Sequence, residues 1–110
     1  MVKKRINKKI EKKINDYISG IKKNNFPIKK VILYGSYAKG NQNKWSDLDI
    51  CIISSKFKGK IDPIEYLWIK RSAKDAEAMI SPVGYHPDDF VDEDPLAYEI
   101  KKTGIEIKVR

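Results

Sequence analysis

The sequence predicts a mixed α/β fold (α+β), a small mixed β-sheet with helices packed on it. Three observations carry this. Ile6, Ile10, Ile14, Tyr17, Ile18 and Ile21 recur at helical spacing with lysines opposite them. Two β-branched runs follow, Val31-Ile32-Leu33 and Ile50-Cys51-Ile52-Ile53. Asp62-Pro63 and Asp94-Pro95 then supply N-cap and first-turn residues for later helices.

The first helix is predicted over about residues 4–24, weakened at Gly20 by about 1 kcal/mol relative to alanine. Asn24-Asn25-Phe26-Pro27 closes it. Strand one spans about 29–34, a short helix about 36–40, and strand two about 47–53. Ser54 to Lys60 is a polar loop. Asp62-Pro63-Ile64-Glu65 starts a third helix, about 63–75, whose shared face of Ile64, Leu67, Trp68 and Arg71 puts Trp68 in the core. Glu77, Met79 and Ser81 alternate with Ala78 and Ile80, which predicts a third strand ended by Pro82, with a turn over Val83 to Pro87. A last helix covers about 95–103 and stops at Gly104. Ile105, Ile107 and Val109 alternate, as a short strand or an exposed tail.

A chain of 110 residues is expected to form one domain, 1–110, with a modest core. No apolar run approaches the roughly 18 residues of a membrane span, and the Lys-rich N-terminus has no apolar signal region. The single cysteine, Cys51, sits inside an apolar strand and reads as a buried thiol, which points to the cytoplasm. Net charge is +8, unevenly placed: residues 1–44 carry 13 Lys/Arg against 2 Asp/Glu, and residues 45–110 carry 10 against 13. A basic half suits a polyanionic ligand, and it equally suits a solvated helix face. Nucleic acid is a disfavoured partner, because no aromatic residues interleave with the basic ones.

The most informative stretch is Gly35 to Ile50. A glycine lets backbone approach a phosphate, and a hydroxyl with free N–H groups at a first helical turn forms an anion site. Gly35 and Ser36 supply these. Side chains two apart on a strand share a face, so Asp47 and Asp49 converge. Converging carboxylates repel each other and are costly to desolvate unless a cation joins them. A hard divalent cation with phosphate oxygens resolves the conflict. Lys39, Lys44 and Ser46 are further candidates for nucleotide contact, although exposed loop lysines are common without a ligand.

Ten residues separate Ser36 from Asp47, so the stretch spells G-S-x10-D-x-D. This resembles the signature of the DNA polymerase β-like nucleotidyltransferases. GSYAKG followed by SDLDI resembles in particular the minimal nucleotidyltransferases, often paired with a HEPN-domain protein as a toxin–antitoxin system. The resemblance implies the polymerase β-like nucleotidyltransferase fold, Mg²⁺ as cofactor and ATP as nucleoside triphosphate substrate. It implies transfer of AMP to a tyrosine hydroxyl of a HEPN partner, with this chain as antitoxin. By resemblance, Ser36 and backbone amides hold the β- and γ-phosphates, Asp47 and Asp49 are the catalytic, metal-binding carboxylates, and a third acid on a neighbouring strand completes the site. Self-association stays open.

The chain departs from that pattern at one position. Minimal nucleotidyltransferases tend to read I-E-P and then H-P-x-D/E-F. Here the residues are Ile80-Ser81-Pro82, then His86-Pro87-Asp88-Asp89-Phe90. Ser81 therefore stands at the third-acid position and cannot carry the charge that a general base or a second metal needs. Glu77 is expected on the same strand face, but four residues earlier, about 13 Å along an extended chain. His86 reads as a turn or cap residue. The acids Asp88, Asp89, Asp92, Glu93 and Asp94 read as a solvated cluster or a docking face. The alternative to an active transferase is a catalytically impaired nucleotide-binding module that neutralises its partner by stoichiometric binding.

Overall fold

Alternating apolar residues on three successive strands give the sheet two apolar faces, and helices cover both. The computed structural model describes residues 6–23, 25–59 and 61–108. Element α1 runs Lys8–Lys22, β1 Lys30–Leu33, α2 Ser36–Lys39 and β2 Leu48–Ile53. They are followed by α3 Pro63–Ile69, α4 Ala73–Glu77, β3 Ile80–Tyr85, α5 Pro95–Thr103 and β4 Ile105–Ile107. The strand order is β3-β2-β1-β4. β2 pairs parallel with β3, while β1 pairs antiparallel with both β2 and β4, so the sheet is mixed as expected.

One face carries Val31, Leu33, Leu48, Ile50, Ile52 and Ile80, covered by Ile14, Tyr17, Ile18 and Ile21 of α1 and Leu67 of α3. The buried Tyr17 hydroxyl donates to the Leu67 carbonyl at 2.6 Å and ties the two helices together. The other face carries Ile32, Cys51 and Ile53, packed by Ile100 of α5 and by Phe90. Burial pushes the Cys51 thiol up to about 12, with a smaller contribution from Asp94, which fits a structural thiol.

Caps set the helix starts. The Asn7 side chain accepts from Lys9 N at 2.7 Å. Asp62 Oδ1 accepts from Ile64 N and Glu65 N, and Asp94 Oδ1 from Leu96 N and Ala97 N. Residues 4, 5 and 24 of the expected first helix and its close lie outside the described residues, as do Lys60 and Val109. His86 is a cap, as expected: its Nδ1 accepts from Asp88 N at the head of a 3-10 turn, Pro87–Asp89. In the acidic cluster, Asp88 faces Lys58 and Asp92 pairs with Lys101 at 3.1 Å, while Asp94 caps α5 and accepts from the Tyr85 hydroxyl.

Three expectations are corrected. The helix expected over 63–75 is two helices. Ser72 Oγ accepts from Asp75 N while Asp75 accepts from Ser72 N, and this reciprocal capping box starts α4 afresh. Glu77 is therefore the last residue of α4, not a strand residue. The chain turns at Met79, with φ at 61°, and β3 begins only at Ile80. Pro82 does not end that strand, and Val83 to Tyr85 belong to it rather than to a turn. β3 lies at the sheet edge, and the Pro82 carbonyl points outward to accept from Trp68 Nε1 at 3.1 Å. In a parallel pair the N–H and C=O of one residue point to the same side. The missing donor therefore costs the ladder nothing.

Trp68 is the third correction, being 40% exposed rather than core. Its indole lies over the sheet edge with the Arg71 guanidinium 3.9 Å from the ring centroid, and Arg71 Nη1 donates to the Ile80 carbonyl at 3.2 Å. The two side chains occupy carbonyls that an edge strand would otherwise expose. The final alternating segment is a strand, β4, not a free tail.

α3 lies so close to β3 that only glycine fits at position 84. A Cβ there would meet Phe57 at 2.7 Å and Leu67 and Pro63 at 2.9 Å. Gly84→Ala is expected to destabilise the fold by about 1–3 kcal/mol through overpacking. Urea denaturation measures this, and an unchanged midpoint would contradict the packing described.

Candidate active site

The end of β1 and the start of β2 meet at one corner of the sheet. Tyr34 N donates to the Asp49 carbonyl at 3.0 Å and extends the antiparallel ladder by one step. The chain then turns at Gly35, with φ at 75°, into the single turn of α2. A Cβ at Gly35 would collide with the Asp49 carboxylate. Glycine is thus required twice here, for the left-handed dihedral and for the room its bare α-carbon leaves the acid. Ser36 is half-buried at the first position of α2.

Asp49 is half-buried and Asp47 exposed. Burial raises the Asp49 carboxyl above its ordinary value, and the neighbouring Asp47 raises it further. Among the described residues neither acid forms an ion pair. Desolvation and like charge therefore act on Asp49 together with no cationic side chain to offset them.

The parallel pairing of β2 with β3 sets Asp49 directly opposite Ser81. The position expected for a third acid is thus beside Asp49, on the neighbouring strand, and holds a hydroxyl. Among the described residues no group of three or more His, Cys, Asp or Glu gathers as a metal site. Two carboxylates can still hold one hard divalent cation, provided water and ligand oxygens complete its shell. The donor set fits a single ion better than a pair.

The remaining sequence candidates are dispersed around this corner. Lys39, at the end of α2, pairs with Glu99 of α5 at 3.2 Å, both side chains being 46% exposed. Lys44 lies over the Trp45 ring, its Nζ 5.0 Å from the centroid. Ser46 Oγ accepts from Asn43 N at 2.9 Å, so it braces its own loop. The structure gathers Gly35, Asp47 and Ser81 around Asp49, while the two lysines are engaged elsewhere, with Glu99 and with the Trp45 ring.

Sequence reasoning passed over two residues. Tyr34 is half-buried beside Asp49, and burial followed by the Asp49 charge pushes its phenol well above the usual range, so it stays protonated. Its signal was alternation with Ile32, which sets it on the Asp49 face of the sheet. Trp45 is 74% exposed in a polar loop between the two halves of the motif. A tryptophan among Asn, Gln and Lys was the signal there.

A family model described as "Nucleotidyltransferase domain" matches residues 8–109. The chain belongs to the nucleotidyltransferase-domain family. A protein of Methanocaldococcus jannaschii, whose name proposes a protein adenylyltransferase, is 46% identical over 44 residues. That match spans 39% of this chain and 44% of the other, less than half of the relative's own length. The crystal structure of a proposed nucleotidyltransferase from Sulfolobus solfataricus superposes with a TM-score of 0.64 at 15% identity, covering 93% of this chain and 82% of that one. At that identity the likeness speaks for the fold, which is the nucleotidyltransferase one.

The pKa shift gives this nucleotidyltransferase domain a pH signature. A carboxyl raised on folding binds its proton more tightly in the folded state. The Asp49 contribution to stability is therefore greatest at low pH and falls as pH rises from the ordinary value of 3.8 through the higher folded value. Without divalent metal, Asp49→Asn is expected to raise the melting temperature at pH 7, and the gain should vanish below about pH 3.8. Thermal melts across pH measure it. A less stable Asn variant at neutral pH would contradict the unpaired carboxylate.

Proposed function

We propose that this nucleotidyltransferase domain transfers AMP from ATP to a tyrosine hydroxyl of a HEPN-domain partner, with Mg²⁺ at Asp47 and Asp49, and so acts as a cytoplasmic antitoxin. The observation that carries the reading is the Asp47–Asp49 carboxylates, without an ion pair among the described residues, set against the Gly35-Ser36 turn. The name of the Methanocaldococcus jannaschii relative supports a protein acceptor, and the GSYAKG and SDLDI wording supports the partner class.

The chemistry asked of the residues is limited. Asp47 and Asp49 would hold the Mg²⁺, which would supply charge neutralisation for the phosphates. Gly35 lets the backbone approach the phosphates, and the Ser36 hydroxyl with adjacent N–H groups orients the β- and γ-phosphates. The acceptor oxygen attacks the α-phosphorus, the bond to pyrophosphate breaks, and the hydroxyl proton must leave. Ser81 has no basicity to take it, so that proton passes to solvent and the reaction is slow.

The Asp49–Ser81 register also favours a second reading, a nucleotide-binding module that neutralises its partner by stoichiometric binding. Labelled AMP incorporated into purified partner separates the two. Ser81→Glu is expected to raise the transfer rate by about 10²–10⁴-fold over wild type. Equal rates would mean that the residue opposite Asp49 is not where the missing base belongs. Absence of transfer by both proteins, with intact partner binding, would favour the stoichiometric reading.

A further inference from the structure

Trp45 is the most exposed of the large apolar side chains among the described residues, and it lies outside both hydrophobic clusters. Leaving an indole in water forfeits the burial that places most tryptophans at least partly inside. The loop backbone that carries it is nonetheless braced. Asn43 Oδ1 accepts from Trp45 N at 2.8 Å, Asn43 N donates to Ser46 Oγ at 2.9 Å, and Ser46 N donates to the Asn43 carbonyl at 3.0 Å. These bonds close a turn whose outward member is the indole. The Lys44 ammonium lies over its ring, 5.0 Å from the centroid.

The position is specific. Trp45 comes two residues before Asp47, so their α-carbons are at most about 7 Å apart. The other aromatic residues of the corner are less available: Tyr34 packs with the second cluster and Tyr37 against the first, and both are half-buried. One exposed aromatic plane therefore stands two residues before Asp47 in the chain, with a lysine over its ring.

We infer that Trp45 is the stacking platform for the base of the bound nucleoside triphosphate, with Lys44 holding the indole and adding positive charge beside the phosphates. The inference rests on the nucleotide reading above and adds the residue that distinguishes a nucleotide from a bare triphosphate. Every base has a π-face, so stacking of this kind tolerates base identity. ATP and GTP should bind within a few-fold of each other.

The test compares Mg²⁺-ATP with Mg²⁺-tripolyphosphate by calorimetry on wild type, Trp45→Ala and Trp45→Phe. Trp45→Ala should weaken ATP binding by about tenfold to a hundredfold. It should leave tripolyphosphate unchanged, and Trp45→Phe should recover most of the loss. The exposed site makes misfolding of these variants a small concern. In a Trp68→Phe background, where Trp45 is the sole tryptophan, ATP should quench the fluorescence and tripolyphosphate should not. Equal binding of ATP and tripolyphosphate to wild type, or a Trp45→Ala effect that is nil or common to both ligands, overturns the stacking role while the phosphate site stands. If wild type binds neither ligand, the nucleotide reading itself falls, and this inference falls with it.

Discussion

The carboxylate of Asp49 rests against the bare α-carbon of Gly35, with the like charge of Asp47 beside it and no ion-pair partner for either among the described residues. The rest of the corner follows from that contact. Position 35 must be glycine, and the turn into α2 must take a left-handed dihedral. β1 and β2 must run antiparallel and in register, so that Tyr34 N reaches the Asp49 carbonyl at the point where the strands part. A fold of this size does not gain stability from gathering two acids in partial burial. The arrangement becomes reasonable when a cation and a phosphate chain complete it, as a nucleotidyltransferase domain requires.

The same sheet decides what the site lacks. β3 joins β2 in parallel, and the register brings Ser81 opposite Asp49. Glu77 cannot slip into that place by local adjustment, because it lies across the Met79 turn at the end of α4. The hydroxyl removes charge from a corner already short of positive compensation. It spares the ligand-free protein a third repulsion beside Asp49. On the proposed function, stability of the empty site and speed of transfer pull in opposite directions at residue 81.

Much of this was legible in the chain. Periodicity set α1 and the first two strands, and the Asp-Pro caps set the starts of α3 and α5, because these signals are local. The candidate corner was legible because G-S-x10-D-x-D fixes a turn, a loop and a strand start at known separations. The failures were tertiary. Trp68 has helical spacing suited to a core, but its helix crosses the open edge of the sheet, so the indole serves the Pro82 carbonyl instead. Pro82 reads as a strand end unless the strand is known to be an edge. The capping box at Ser72 was visible in principle, yet the preceding apolar face masked it. Trp45 carried no periodicity at all, and only its setting between the motif halves marks it.

The central claim is that Asp47 and Asp49 make one site with the Gly35-Ser36 turn, and that it takes nucleotide and divalent cation together. Calorimetric titration of ATP, with and without Mg²⁺, into wild type and the Asp47→Asn/Asp49→Asn double variant tests it most directly. The account predicts Mg²⁺-dependent binding to wild type and loss of that dependence in the double variant, with the fold intact by circular dichroism. Unchanged, Mg²⁺-dependent ATP affinity in the double variant would contradict it.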